Sequence, residues 1–168
     1  MMSWITNWKN NRKLNCSWNN VHSFCKNVVD EQWSGPPPCC IVGISRGGLI
    51  PAVIVANLMG VRKIFSVGVA SYMTDTSRKA EEFSIYQHLP TNSTTIMNGV
   101  SKGDSGLVVD DISDKGKTLT KVVDGIRELY GCKIRTMSLY IKHSTEFVPD
   151  MYYRGVPDKR WVTFPWET

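Results

Sequence analysis

The chain has 168 residues, 42% of them hydrophobic, and a formal net charge of +5. That length supports one compact domain with a single core and calls for no division. No apolar stretch reaches the length of a membrane span, and the cations are scattered rather than gathered into the basic face of a nucleic-acid binder. Five cysteines, Cys16, Cys25, Cys39, Cys40 and Cys132, show no metal-ligand spacing and leave an odd number, which fits reduced thiols in a cytosol. The amino terminus, with Trp4, Asn7, Lys9 and Asn10, lacks the apolar centre of a signal peptide, so a soluble, intracellular protein is expected.

The first periodic element is an amphipathic helix carrying Trp18, Val21, Phe24, Cys25, Val28 and Val29, expected to lie against a sheet. Pro36-Pro37-Pro38 then forms a stiff approach to a short apolar strand, Cys40 to Ile44. The strand runs into Ser45-Arg46-Gly47-Gly48 and a second helix. Leu49, Ile50, Val53, Ile54 and Leu58 supply that helix's apolar stripe, and Pro51 fits its first turn. Gly47 and Gly48 let the backbone approach an anion closely, and Arg46 offers a fixed cationic fork for a diphosphate. Taken alone, the same loop also reads as a glycine turn that packs helix on strand.

A further strand is expected over 63–71, with Ile64, Phe65, Val67 and Val69 suited to burial. From Met73 to Ser105 the chain turns polar, and a polar segment of that length is either disordered or functional. It ends at the most informative stretch of the chain, 107–118. Leu107 to Val109 read as a buried parallel strand, Asp110 and Asp111 sit at its carboxyl end, and a loop through Gly116 leads into a helix from Thr118. Leu119, Val122, Val123, Ile126, Leu129 and Tyr130 mark that helix, and Gly131 stops it. The helix's first N–H groups, the loop amides and the Thr118 hydroxyl can cradle a dianionic phosphate. Carboxylates repel phosphate, so the acidic pair needs another partner: ribose hydroxyls, or a divalent cation.

Gly116-Lys117-Thr118 matches the end of a Walker A nucleotide loop, but Asp111 stands where that motif needs its first glycine. A solvated acidic turn is the plainer alternative, although turn chemistry alone does not call for three Asp and a Gly-Lys-Thr at a strand-to-helix switch. Near the carboxyl end, Met137 to Lys142 reads as a strand ending in a cation, followed by Trp161-Val162-Thr163-Phe164-Pro165-Trp166-Glu167. Singly, Lys142 reads as a solvated strand end and Trp161 as core.

Together the 107–118 stretch, the 45–48 loop and the 137–167 segment resemble the signature blocks of type I phosphoribosyltransferases, and the last is similar to that of bacterial xanthine-guanine phosphoribosyltransferases. The resemblance implies an α/β fold, a central, mainly parallel sheet flanked by helices with ligands at the strand carboxyl ends. It implies one domain over 1–168, with 73–105 a mobile hood that carries Ser71 and Tyr72 at its base and 137–168 the base-recognition end. Whether the extra length of that hood makes a hairpin or an oligomer contact stays open.

By the same resemblance, phosphoribosyl pyrophosphate is held by Ser45, Arg46, Gly47, Gly48, Asp110, Asp111, Ser113, Asp114, Lys115, Gly116, Lys117 and Thr118. Asp110 and Asp111 take the ribose hydroxyls directly or through Mg2+, and Arg46 takes the leaving diphosphate. Asp114 is implied as the catalytic base beside the purine. Lys142 would face the six-position oxygen, Trp161 would stack on the base and the Val162 backbone would meet its Watson-Crick edge. Lys115 departs from the family pattern, which usually has Thr there. The implied activity is transfer of phosphoribosyl to guanine, xanthine or hypoxanthine with release of pyrophosphate, in purine salvage, by a cytoplasmic homodimer or homotetramer. A non-catalytic regulator on the same fold, binding nucleotide or nucleic acid, is the alternative.

Overall fold

The computed structural model describes residues 13–73, 81–86 and 103–167. Its elements in chain order are β1 (Lys13–Asn15), α1 (Trp18–Gln32), β2 (Cys40–Ser45), α2 (Leu49–Met59), β3 (Ile64–Met73), β4 (Glu81–Tyr86), β5 (Ser105–Ser113), α3 (Lys117–Tyr130), β6 (Lys133–Lys142), β7 (Met151–Val156) and β8 (Trp161–Thr163). Six strands form one sheet in the order β4-β3-β2-β5-β6-β7, and β1 pairs with β8 in a separate two-stranded ribbon. Every neighbour in the large sheet is parallel except β3 with β4. This is the expected α/β architecture, with β2 and β5 adjacent at its centre. A ligand at the carboxyl ends of two adjacent central strands meets the loops that both strands feed.

The central strands are apolar because helices cover both of their faces. Ile41, Leu107 and Val109 face one core with Val21, Cys25 and Val28 of α1 and Ala52, Val55 and Ala56 of α2. Val42, Ile44 and Val108 face the other with Leu119, Val122, Val123 and Ile126 of α3. Ser17 caps α1 by accepting from the Asn20 N–H at 3.2 Å, while the Asn20 side chain accepts from the Ser17 N–H at 3.0 Å. The two bonds satisfy donors that would otherwise be orphaned at the helix start, an arrangement worth about 1 kcal/mol.

Helix α2 differs from its expected stripe. The buried residues are Pro51, Ala52, Val55 and Ala56, while Val53 and Leu58 are 48% and 37% exposed. The sequence is apolar on almost every side, so periodicity alone gives no orientation. Size decides it. The small residues face the sheet, where a Cβ built on Gly43 would lie 3.0 Å from Ala52 Cβ.

Strand β5 is longer than its apolar run suggests. Its parallel pairing with β6 continues through Asp110 opposite Ser138 to Ser113 opposite Ile141, so both carboxylates belong to the strand instead of following it. Helix α3 starts one residue earlier than Thr118, at Lys117. Strands β1, β7 and β8 carry no clear period-2 signal in the sequence. In the expected hood at 73–105, the described part is β4 pairing antiparallel with β3, Met73 opposite Glu81 through Gly68 opposite Tyr86, and the start of β5. Residues 74–80 and 87–102 lie outside the described residues.

The carboxyl end closes the fold. The Cys16 N–H donates to the Thr163 carbonyl at 2.8 Å, which extends the β1–β8 ribbon. Phe164 stacks on Trp166 with centroids 4.8 Å apart and planes at 5°, and Trp166 meets Trp18 at 6.0 Å. Each such pair adds about 1 kcal/mol beyond the area it buries. All five cysteines are free.

Candidate active site

The two loops singled out in the sequence meet. A Cβ built on Gly47 would lie 1.7 Å from Asp111 Oδ2, and one on Gly48 would lie 2.3 Å from the Val109 carbonyl oxygen and 2.9 Å from Asp110 Cα. At Gly48 the neighbours are backbone atoms, so only glycine fits, whereas at Gly47 any side chain would have to displace the Asp111 carboxyl. Their close approach is therefore to strand β5 of the protein itself, while the Arg46 side chain is exposed. The Ser45–Arg46 peptide is cis. The Ser45 hydroxyl donates to the Val67 carbonyl at 3.2 Å, tying this loop to β3.

Asp110 is 9% exposed, and its Oδ1 accepts the Asp111 N–H at 3.0 Å. Burial and the adjacent Asp111 charge push the Asp110 carboxyl well above the usual range. Asp111 rises to about 6, first through burial, with the Glu167 carboxylate adding to it. Glu167 is fixed beside the pair because it accepts the Phe164 N–H at 3.0 Å. Acidic side chains held this close make poor anions until hydroxyl donors or a cation arrive. The donor set is all oxygen and carries at most two adjacent carboxylates, which suits a hard divalent ion that keeps waters and shares phosphate oxygens. Among the described residues no cluster of His, Cys, Asp or Glu is sufficient to hold a metal alone. The residues thus fit an ion that arrives with its ligand.

From Asp110 the chain borders a hollow of about 220 Å³ lined by Ile112, Ser113, Asp114, Lys115, Gly116, Lys117, Thr118 and Leu119. Gly116 is the N-cap of α3, with φ of 82°, and no side chain caps the helix, so first-turn N–H groups are left for an anion. The Thr120 hydroxyl donates to the Gly116 carbonyl at 3.1 Å. Asp114 and Lys115 are exposed at the rim.

Residues 144–147 support this loop, and no sequence pattern marks them. A Cβ on Gly116 would lie 2.5 Å from both the backbone nitrogen and the Cβ of Phe147. The Ser113 hydroxyl donates to the Phe147 carbonyl at 2.8 Å and pairs with Thr145 Oγ1 at 2.9 Å. That hydroxyl props the loop from behind, so Ser113 offers a ligand its backbone more readily than its side chain. The Glu146 N–H donates to the Lys115 carbonyl at 3.3 Å.

The residues expected at the base, Lys142, Trp161 and Val162, lie on β6 and β8. Trp161 is 63% exposed, which removes the reading of it as core, whereas Val162 is 6% exposed. Strand β8 is bonded along one edge to β1, Leu14 opposite Val162. The Lys142 side chain is buried, and its ammonium donates to the carbonyls of Pro157 at 3.5 Å, Asp158 at 3.3 Å and Arg160. An ammonium has three N–H donors, so these carbonyls match its capacity. Ser71 and Tyr72 fall near the end of β3, paired with Phe83 and Glu82.

With this geometry in place, residues 17–168 match the phosphoribosyl transferase domain family. The chain belongs to that family. It is thus a phosphoribosyltransferase, a glycosyl-transferring enzyme of the type I fold. A curated relative, the xanthine-guanine phosphoribosyltransferase of Vibrio atlanticus (strain LGP32), is 27% identical over 161 residues, covering 93% of this chain and 90% of its own. Purine phosphoribosyltransferase from Pyrococcus horikoshii Ot3 superposes with a TM-score of 0.75 at 28% identity, covering 94% of this chain and 95% of that one. The xanthine-guanine-hypoxanthine phosphoribosyltransferase of Helicobacter pylori shares the fold at 24% identity, with a TM-score of 0.73 and coverage of 93% and 94%. Within this phosphoribosyltransferase, no described helix is long and apolar enough to cross a membrane.

Proposed function

We propose that this enzyme transfers phosphoribosyl from phosphoribosyl pyrophosphate to a 6-oxopurine, guanine, xanthine or hypoxanthine, and releases pyrophosphate in purine salvage. The observation that carries the reading is the contact of Gly47 with the Asp111 carboxyl beside the hollow at 113–118, because it gathers a cationic loop, an acidic pair and a hollow at a helix start, which suit the three chemical parts of one substrate. The 5-phosphate lies against the amides of 115–118 and the Thr118 hydroxyl. Ribose hydroxyls donate to Asp110 and Asp111, and the diphosphate faces Arg46 and the 45–48 loop.

Asp110 and Asp111 would hold Mg2+ together with the substrate's own oxygens; when bound, the ion neutralises diphosphate charge and so eases departure of the leaving group. Arg46 reinforces that neutralisation. As the C–O bond to diphosphate breaks, the anomeric carbon gains positive charge, and the purine nitrogen attacks it. Asp114, on the exposed rim of the hollow, accepts the purine proton, a contribution of about a hundredfold or more where geometry is right. Ser71 and Tyr72, at the base of the hood, belong to the closure that keeps water from the activated ribose.

Trp161 is the stacking surface, since it is exposed yet anchored by a β8 strand bonded to β1, and the Val162 backbone meets the base edge. Lys142 faces the six-position oxygen by exchanging one of its turn carbonyls for it. The protein acts as a single domain in the cytoplasm, as a homodimer or homotetramer. Pyrophosphate release by the purified protein with Mg2+ and phosphoribosyl pyrophosphate is the direct test, supplying guanine, xanthine, hypoxanthine and adenine in turn. Release that depends on a 6-oxopurine is expected. Release with adenine alone would overturn the base assignment, and thermal stabilisation without release under any base would overturn catalysis in favour of a regulator.

A further inference from the structure

The turn at 157–160 immediately precedes Trp161 and is held from two sides. Beneath it, the buried Lys142 ammonium takes the carbonyls of Pro157, Asp158 and Arg160. The Arg160 N–H closes the turn on the Pro157 carbonyl at 3.0 Å. Above it, the Ser144 N–H donates to Asp158 Oδ1 at 2.9 Å. Ser144 is in turn the acceptor for Lys115, whose Nζ donates to its hydroxyl at 3.4 Å, and Lys115 is a residue of the phosphate loop. The Lys115 carbonyl also accepts from Glu146, so main chain and side chain of one residue both reach the 144–146 segment.

The two holds differ in kind. Lys142 is buried among carbonyls, and its ammonium is held by three of them at once. Lys115 is exposed and makes a long bond to a neutral hydroxyl, so an arriving phosphate dianion competes for its ammonium with a stronger, charge-assisted bond. The Asp158 carboxyl belongs to the second hold, being kept below the usual range by the Ser144 bonds first, and by the Lys115 and His143 charges to a lesser degree.

We propose that Lys115 is a positioning residue that couples the phosphate loop to the base-site turn through Ser144 and Asp158. Without phosphate the Lys115 ammonium sits on Ser144, and the Ser144–Asp158 link restrains the turn and with it Trp161. Phosphate in the hollow draws Lys115 inward, releases the turn and lets Trp161 close over a base. The inference rests on the substrate reading above and adds the residues that couple its two halves.

The test measures the guanine dissociation constant by calorimetry with and without saturating ribose 5-phosphate. The protein should bind guanine about five-fold tighter when the phosphate loop is occupied, within the usual range of coupling between sites. Lys115→Thr and Asp158→Asn should each bring that ratio near one, the double variant should do no more than either, and Lys115→Arg should preserve it. A ratio that survives Lys115→Thr overturns the coupling, as does a ratio of one in the unmodified protein. Hydrogen exchange at 157–161 in ligand-free protein separates this idea from the substrate reading. Lys115→Thr and Asp158→Asn should speed it alike without summing, and unchanged exchange in Lys115→Thr overturns the tie whatever the ligands do.

Discussion

The loops after β2 and β5 are built to the same plan, strand into glycine turn into helix, yet one is closed on the protein and the other is open. After β2, Gly47 and Gly48 are pressed against Asp111 and Val109, and helix α2 begins at an N-cap Gly48 in an ordinary right-handed conformation. After β5, Gly116 turns left-handed against Phe147 and leaves a hollow on its other side. A glycine can thus mark a place where ligand approaches or a place where the chain approaches itself. Sequence pattern does not separate these uses, but substitution does.

The largest expected effect is at Gly48. An alanine methyl there meets a β5 carbonyl, the Ile44 carbonyl and the Asp110 backbone, none of which can turn aside. Gly48→Ala should lower stability by about 3 kcal/mol, at the top of the range for overpacking, and should remove activity along with it. Denaturant unfolding would check this. A midpoint within experimental error of the parent would mean that the two central strands are less tightly apposed than described.

Gly116→Ala comes next. A left-handed residue with a side chain costs about 1–2 kcal/mol, and the 2.5 Å approach of Phe147 adds to it. Since 144–147 is a surface loop that can yield, stability should fall by about 2 kcal/mol. Binding of phosphoribosyl pyrophosphate should suffer more, because the N-cap that presents the α3 amides is the residue displaced. Calorimetric titration beside thermal unfolding distinguishes the two losses; an affinity unchanged to within two-fold would take the 5-phosphate out of this hollow.

Much of this site was legible in the chain, for a physical reason. Short apolar runs in parallel strands, followed by glycines and helical spacing, are local signals, and they located both loops and the helices behind them. What was not legible depends on partners far along the chain. The Ser113 hydroxyl is satisfied 34 residues away at Phe147, and no spacing around either residue announces it. The Lys142 ammonium meets carbonyls, which every residue has and no sequence distinguishes. Helix α2 gave its existence but not its orientation, because the choice between Val53 and Ala52 as the inward residue follows from the Gly43 surface it packs on. Glu167 needed the carboxyl terminus folded back before its charge could be assigned to Asp111.

The carboxylates near the end of β5 carry the pH dependence. Carboxyls raised by burial contribute stability that is fully present below the ordinary carboxylate range and is lost as pH rises through their folded values, about 6 for Asp111 and upward for Asp110. Ligand-free protein should therefore melt at a lower temperature at pH 8 than the Asp110→Asn variant, and the difference should vanish near pH 4. Mg2+ with phosphoribosyl pyrophosphate should restore the parent at pH 8 and do less at pH 5. If Asp110→Asn melts lower than the parent at pH 8, the pair is satisfied by something other than a ligand, and the cation role falls.

The smallest expected change in stability is at Gly47, although the distance there is the shortest. Its Cβ would collide with the Asp111 carboxylate, the free end of a side chain, so the fold can respond by turning one χ angle, at a cost of about 1 kcal/mol. The turned carboxylate would no longer face the ribose and cation position. Gly47→Ala should therefore melt within a few degrees of the parent while losing most of its affinity for phosphoribosyl pyrophosphate with Mg2+, the reverse of the balance at Gly48. If instead Gly47→Ala unfolds like Gly48→Ala, both glycines serve packing alone. The contact between the loops would then be a feature of the fold and not the hinge of the site.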